Sequence, residues 1–294
     1  MVLKFFFFVK ISLNEYHSRM SQILHSASVK KLITKALKAE CKALKESNIF
    51  PQLKVVLVGS DPASIIYTAN KKKYCEKIGA LCEIITLKED ISENEFLKTI
   101  TQINQDDLVH GCIIQLPLPK QLSHLDVGYL VKKEKDVDGF HPENIFALIA
   151  DNGDENNFIS CTPKGILTLM QESEIQISGK NIVVIGRSMI VGKPLAMLLT
   201  NLNATVTLCH SHTQNLKEIT KNCDIIISAV GKAQFIDESY ISPNKHQVII
   251  DVGMNTDAQG QLCGEVHFEK VVNLVSAITP VPGGVGPMTI VSLA

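Results

Sequence analysis

The sequence predicts an α/β protein of two domains: an N-terminal α/β domain, then a Rossmann-like, doubly wound dinucleotide-binding domain, with a ligand cleft between them. Three observations predict it. The chain has 294 residues, more than one domain of ordinary size needs. Short apolar runs alternate with amphipathic helical segments, which implies right-handed crossovers and mainly parallel sheets covered by helices. The third is the stretch Lys180–Pro194, KNIVVIGRSMIVGKP. Within it Asn181–Ile185 is rich in β-branched residues, as expected of a buried parallel strand. It stops at Gly186, and Gly192 follows just before Lys193-Pro194 and the apolar positions Leu195, Leu198 and Leu199. This is a strand, a glycine turn and a helix start, with proline in the first turn, where its missing N–H is harmless. Such a turn can face backbone N–H groups and a helix N-terminus toward a pyrophosphate. The pattern is G-x-S-x-x-x-G rather than G-x-G-x-x-G, and taken alone it would suit an ordinary tight turn as well.

The bulk numbers narrow the class. Hydrophobic residues make up 45% of the chain and charged residues 20%, with a formal net charge of −1. That balance gives no bulk attraction to nucleic acid or anionic lipid, so neither is an expected partner. Eight cysteines are scattered singly, without metal-ligand spacing, so no metal site is expected. Reduced thiols in a cytoplasmic enzyme fit them better than a disulfide framework. Residues 1–19 look unlike the rest. Phe5–Phe8 is too short to span a bilayer, and no small-residue cleavage site follows. No role is assigned to this extension, and the working domain is expected to begin near Met20.

Taken in order, Ser28–Ser47 has apolar residues at helical spacing, with lysines on the other face. Leu53–Val58 is a buried strand ending at Gly59. Asp61-Pro62 makes a turn, and Ser64 is placed to cap a helix running to about Lys77. Ala80–Leu87 is the next strand, and Ser92-Glu93-Asn94-Glu95 is a capping box opening another helix. Gly111–Leu116 is a third strand, closed by Pro117 and Pro119, and Leu122–Val131 reads as helical. The polar run Asn152–Asn157 marks a domain boundary. Thr162-Pro163 starts the helix that leads to the glycine-turn stretch. Strands Ala204–Cys209, Asp224–Val230 and Gln247–Val252 follow, and Ala277–Ile278 is a final short strand before the loop Thr279–Pro287. A ligand is expected at the carboxyl ends of the strands.

The end of the second nucleotide-domain strand should meet the adenine ribose, where a carboxylate would select NAD. Here that place holds His210-Ser211-His212-Thr213, with no acid. Arg187 sits in the glycine turn, and an arginine fork with a hydroxyl suits a 2′-phosphate. The expected cofactor is therefore NADP, although a solvated turn would also explain Arg187.

Several stretches together resemble one family. They are VGSDPASIIYTANKKK (Val58–Lys73), GCIIQLPLP (Gly111–Pro119), KDVDGFHPEN (Lys135–Asn144), CTPKG (Cys161–Gly165), VIGRSMIVGKP (Val184–Pro194), IIDVGMN (Ile249–Asn255) and TPVPGGVGPMT (Thr279–Thr289). From about Ser21 to the end, in this order, they resemble the bifunctional methylenetetrahydrofolate dehydrogenase/methenyltetrahydrofolate cyclohydrolases of one-carbon metabolism. The resemblance implies the two-domain fold, NADP, tetrahydrofolate derivatives as substrates and a homodimer. It implies a folate-binding catalytic domain over 20–157 and a Rossmann-like NADP-binding domain over 158–280. Residues 281–294 would be an active-site loop and the start of a truncated C-terminal helix, whose early end is expected to lower stability without touching the chemistry. Three positions depart from the family. Phe146 replaces a usual glycine, so its helix is expected to pack differently. Met189 stands for a polar residue and His212 for a basic one, which loosens the expected grip on the cofactor phosphate.

The spacing of Tyr67 and Lys71 puts them on one helical face. The resemblance makes Lys71 the catalytic residue and Tyr67 a catalytic-site wall against the folate. A lysine drawn into a partly dry cleft is expected to have a lowered pKa and to exchange protons near neutrality. Gln115, at the end of the third strand, pairs with Lys71 in the family and orients it. Asp138 matches the acid that recognises the pterin, since a carboxylate can accept two hydrogen bonds from an aminopyrimidine edge. Asp136 is the candidate structural member of that turn. Pro282 and Gly283 would let backbone approach the substrate closely. Gly186, Arg187, Ser188, Gly192, Ser211 and Gly231 are the expected cofactor contacts.

Two other readings share the architecture. One is another two-domain NADP dehydrogenase, resembling shikimate dehydrogenase, which gives no reason for Tyr67, Lys71, Gln115 and Asp138 to occur together. The other is a non-catalytic nucleotide-sensing module, which would be expected to have lost Lys71 or Asp138.

Overall fold

The computed structural model of the chain describes residues 21–151, 157–244, 246–257 and 259–294. The extension 1–19, and residues 152–156 of the expected domain boundary, lie outside the described residues. The chain forms two compact units that interleave in sequence. One comprises Ala27–Thr168, Met189–Leu198 and Pro287–Ala294; the other holds residues 21–26, Leu169–Ser188 and Leu199–Gly286.

The first unit is built on a three-stranded parallel sheet with Gln52–Val58 at its centre, Leu81–Leu87 on one side and Gly111–Ile114 on the other. Successive side chains of a strand point to opposite faces, and both faces of the central strand are covered. Val56 and Val58 pack with Phe96, Ile100 and Ile103 of the helix Glu93–Gln105. Leu53 and Val55 pack with Cys75 of the helix Pro62–Ile78. Burial on both sides explains why its second half, Val55–Val58, is continuously apolar rather than alternating. The capping box forms as its residues predict: Ser92 Oγ accepts from Glu95 N–H and the Glu95 carboxylate accepts from Ser92 N–H.

Two local expectations are corrected. Ser64 does not cap the Pro62–Ile78 helix; Asp61 does, its carboxylate accepting from Ser64 N–H at 2.8 Å. Pro62 starts the helix without needing a donor, so the acid just before it takes the capping position. Leu122–Val131 is not one helix but part of a segment with 3₁₀ turns at Lys120–Leu122 and Val127–Tyr129. Asp126 caps the second turn, and Gly128 admits the Phe140 carbonyl, which would lie 2.5 Å from any Cβ there. Phe146 is exposed on the helix Pro142–Ala150, so the extra ring is borne on the surface.

The second unit has a six-stranded parallel sheet. Its order is Gln22–Ile23, Ala277–Ile278, Val248–Asp251, Ile225–Ser228, Asn181–Ile185, Thr205–Cys209. Asn181–Ile185 pairs on one side with the strand that follows it and on the other with the third. Strand order therefore reverses there, the switch point at which doubly wound sheets bind ligands. Gln22–Ile23 was grouped by sequence with the first domain, but it extends this sheet, with Gln22 N–H bonding Ser276 O and Leu24 N–H bonding Ile278 O. Among the described residues no helix is long and apolar enough to cross a membrane.

Candidate active site

Four predicted side chains line one pocket, and every residue of its lining belongs to the first unit. Tyr67 and Lys71 project from one face of the Pro62–Ile78 helix, one turn apart. Gln115 follows the last residue of the strand Gly111–Ile114, and its N–H continues the ladder to Val56 O at 2.9 Å. Asp138 arrives on the segment after Asp136, which runs alongside the same strand through a bridge between Asp136 and Cys112. Gly111 makes this approach possible, because a Cβ there would lie 2.7 Å from the Val137 side chain. Gly139 then turns the chain at φ +70°, close against Ile159 and Ser160.

Lys71 is only 5% exposed. Its Nζ donates to Gln115 Oε1 at 3.2 Å and lies 4.9 Å from the centre of the Tyr67 ring. The Gln115 amide is oriented by its own Nε2, which donates to Leu116 O at 2.8 Å. That second bond turns the carbonyl oxygen toward the lysine. A lysine nitrogen over a ring face and against an amide oxygen has two of its directions engaged and leaves others for a bound molecule. Asp138 supplies the opposite charge. Desolvation by the surrounding protein raises its pKa, while the Lys71 charge and a hydrogen bond from the Cys161 thiol oppose that rise. Burial, reinforced by the Asp138 charge, holds the Tyr67 phenol well above its ordinary value, so the hydroxyl stays protonated near neutrality.

Asp136 sits differently. It is buried in its loop, its carboxylate accepting from His141 N–H at 2.7 Å and from Asn144 Nδ2 at 2.9 Å. Among the pocket residues that sequence reasoning missed are Cys161, Thr162 and Thr289. Cys161 Sγ lies 3.2 Å from Val137 O, so its single S–H is shared between that carbonyl and Asp138, and Thr289 hydrogen-bonds both the Tyr67 hydroxyl and, at 3.1 Å, Thr162 Oγ1. Cys161 and Thr289 each lie inside a stretch singled out for other residues, so their positions in CTPKG and PMT were the available signal.

The cofactor candidates are distributed over both units. Gly186, Arg187, Ser188, Ser211 and Gly231 follow the carboxyl ends of the strands at the switch point, in the second unit. Gly186 has φ +125°, and a Cβ on it would lie 2.1 Å from Ala229 O, so no other residue fits that turn. Arg187, Ser188 and Ser211 are exposed there, and Gly231, at φ +69°, opens onto free space. The loop His210–Thr213 holds itself together, with His210 N–H bonding Thr213 Oγ1 at 2.8 Å, and carries no acid. These features fit a dinucleotide whose ribose bears a phosphate. Gly192 is in the first unit, opening the helix Gly192–Asn201. Pro282 and Gly283 are in the second, where the Gly283 carbonyl accepts from both Ser26 N–H and Ser26 Oγ at 2.9 Å.

The chain is similar to known proteins over most of its length. A family model described as tetrahydrofolate dehydrogenase/cyclohydrolase, catalytic domain, matches residues 24–138, and one described as tetrahydrofolate dehydrogenase/cyclohydrolase, NAD(P)-binding domain, matches residues 160–294. The bifunctional protein FolD of Halalkalibacterium halodurans is 49% identical over 87% of this chain and 90% of the relative. The crystal structure of the bifunctional FolD methylenetetrahydrofolate dehydrogenase/cyclohydrolase from Campylobacter jejuni is 40% identical with a TM-score of 0.87, covering 93% of this chain and 95% of that one. The Trypanosoma brucei enzyme, solved in complex with NADP and an inhibitor, is 31% identical with a TM-score of 0.85, covering 93% and 94%. The chain belongs to the tetrahydrofolate dehydrogenase/cyclohydrolase family.

Proposed function

We infer that the chain is a bifunctional enzyme. It oxidises 5,10-methylenetetrahydrofolate to the 5,10-methenyl cation with NADP and hydrolyses that cation to 10-formyltetrahydrofolate. The observation that carries this reading is the buried Lys71, held between Gln115 Oε1 and the Tyr67 ring in a pocket that also contains Asp138.

Bound NADP would supply the hydride acceptor for oxidation of the methylene carbon. That step moves no proton, so the protein contributes by placing the folate. Asp138 accepts hydrogen bonds from the pterin edge, and the Tyr67 ring forms a wall against which the folate lies. Hydrolysis differs. As water adds to the methenyl carbon a proton must leave, and a proton must reach the ring nitrogen when its bond to that carbon breaks. Lys71 takes the first and delivers the second, with Gln115 keeping its nitrogen on the reacting side. The carbinol hydroxyl loses its proton to solvent as the formyl C=O forms, so one proton is released per cation hydrolysed, which balances the loss of the positive charge. Arg187, Ser188 and Ser211 hold the nucleotide end, with Arg187 toward the 2′-phosphate.

A shikimate dehydrogenase-like enzyme would share the architecture but has no use for the Lys71–Gln115–Tyr67 arrangement. The enzyme is proposed to act as a homodimer in the cytoplasm; the eight cysteines, all free thiols, support a reducing compartment. The test is direct. NADPH absorbance should appear when tetrahydrofolate, formaldehyde and NADP are mixed with the purified protein, and hydrolysis of added methenyltetrahydrofolate should be accelerated. Absence of both would contradict the reading.

A further inference from the structure

Glu265 is 1% exposed, and among the described residues it has no cationic partner. A buried carboxylate in that state is costly unless hydrogen bonds satisfy it. It has several. It accepts from Val230 N–H at 2.8 Å, from Gly231 N–H at 2.6 Å and from the Ser228 hydroxyl. All three donors lie in the few residues that leave the strand Ile225–Ser228 at its carboxyl end. Asp251, at the end of the neighbouring strand, is buried beside it and accepts from the Glu265 and Val266 N–H groups at 3.0 and 2.8 Å.

The surroundings are shaped around these two acids. A Cβ at Gly253 would lie 2.2 Å from Glu265 Cγ, and one at Gly264 would lie 2.0 Å from Asp251 Oδ2. The loop that Glu265 grips is also the loop that fills the space beside Gly186, through the Ala229 carbonyl. One continuous chain of contacts thus runs from the glycine turn through Ala229 and Gly231 to Glu265. Its components are all in the second unit and lie at the switch point of the sheet. With its N–H tied inward, Gly231 is presented with its other side open.

We propose that Glu265 is a positioning residue for the dehydrogenase half-reaction: its buried carboxylate fixes the Ser228–Gly231 loop as a rigid wall of the nucleotide crevice. This rests on the reading that NADP binds at the switch point. Glu265 does not line the hydrolytic pocket, so the two activities of one enzyme provide the control.

The test is Glu265→Gln, which keeps length and shape but turns an amide donor toward N–H groups that already donate. Loss of a hydrogen bond to a charged group corresponds to about 10–100-fold in affinity. NADP affinity measured by titration, and KM for NADP, should weaken by about that factor, while hydrolysis of methenyltetrahydrofolate without NADP keeps its wild-type rate. Unchanged NADP affinity, or a parallel fall in both activities, would overturn the proposal. Should Glu265→Gln prove too unstable to purify, Ser228→Ala removes one donor and leaves the charge in place. It should weaken NADP binding by a smaller factor with hydrolysis intact, and unchanged binding would count against the proposal equally. Wild-type protein that fails to bind NADP would instead remove the underlying reading of the cofactor site.

Discussion

Lys71 Nζ and Gln115 Oε1 meet at 3.2 Å although the two residues come from a helix and from the end of a strand. The contact is directional. Gln115 is locked by its own bond to Leu116 O, so the lysine has one oriented acceptor rather than a mobile one. A lysine held in this way can trade a proton at a defined point, which is what hydrolysis of the methenyl cation demands and hydride transfer does not.

Asp138→Asn tests folate recognition. The amide keeps the shape but presents donors where the pterin edge also donates. Folate affinity measured by titration and both activities should fall, while NADP affinity stays near wild type. Unchanged folate affinity would remove Asp138 from the recognition site. Asp136→Asn should behave differently, because Asp136 serves His141 and Asn144 within its loop; its effect should appear in stability.

Arg187→Ala tests nucleotide selection. Arg187 is exposed in the glycine turn, and NADP alone carries a phosphate for it to hold. Loss of a charge-assisted bond costs about 1.5–3 kcal/mol. NADP binding should weaken by about that amount while NAD binding hardly changes. Equal weakening of both would show that Arg187 does not contact the phosphate.

Asp251 makes a prediction about pH. Burial raises its pKa from 3.8 to about 6 in the folded protein, against the lowering effect of its backbone hydrogen bonds and with a further upward push from Glu265. The native state therefore holds this proton more tightly than the unfolded chain, and stability from this group falls as pH rises between those two values. The full effect is about 3 kcal/mol. Asp251→Asn removes the titration. Urea unfolding should show the variant gaining on wild type by up to about 3 kcal/mol between pH ~4 and pH ~7. A difference independent of pH would contradict the raised value.

Much of this was legible in the sequence because the cues were local. A β-branched run ending at Gly186, the Ser92/Glu95 capping box and the spacing of Tyr67 and Lys71 each report on a few neighbouring residues. The pairing of Gln22–Ile23 with Ala277–Ile278 was not legible. A two-residue strand has no period, and its partner lies at the far end of the chain. Glu265 was not singled out, because nothing local announces that Val230 and Gly231 N–H groups will enclose it. Lys135 is a similar case. It stands in the charged run Lys132–Lys135, yet it is buried, and its Nζ donates to the carbonyls of Ile103, Asn104 and Asp106 at the end of the Glu93–Gln105 helix. Burial of a charge by carbonyls distant in sequence leaves no trace in spacing.

The most direct test of the central claim is Lys71→Met, assayed for both reactions on one purified protein by the absorbance of the methenyl cation and of NADPH. Methionine keeps much of the apolar stem but has no titratable nitrogen. A positioned general acid–base group contributes about 10²–10⁴-fold, so hydrolysis should fall by that order while dehydrogenation remains measurable and methenyltetrahydrofolate accumulates. Hydrolysis at the wild-type rate would contradict the account, since Lys71 would then be a bystander in the pocket. Loss of both activities together, with folate and NADP still bound, would contradict the division of labour and place Lys71 in the hydride step as well.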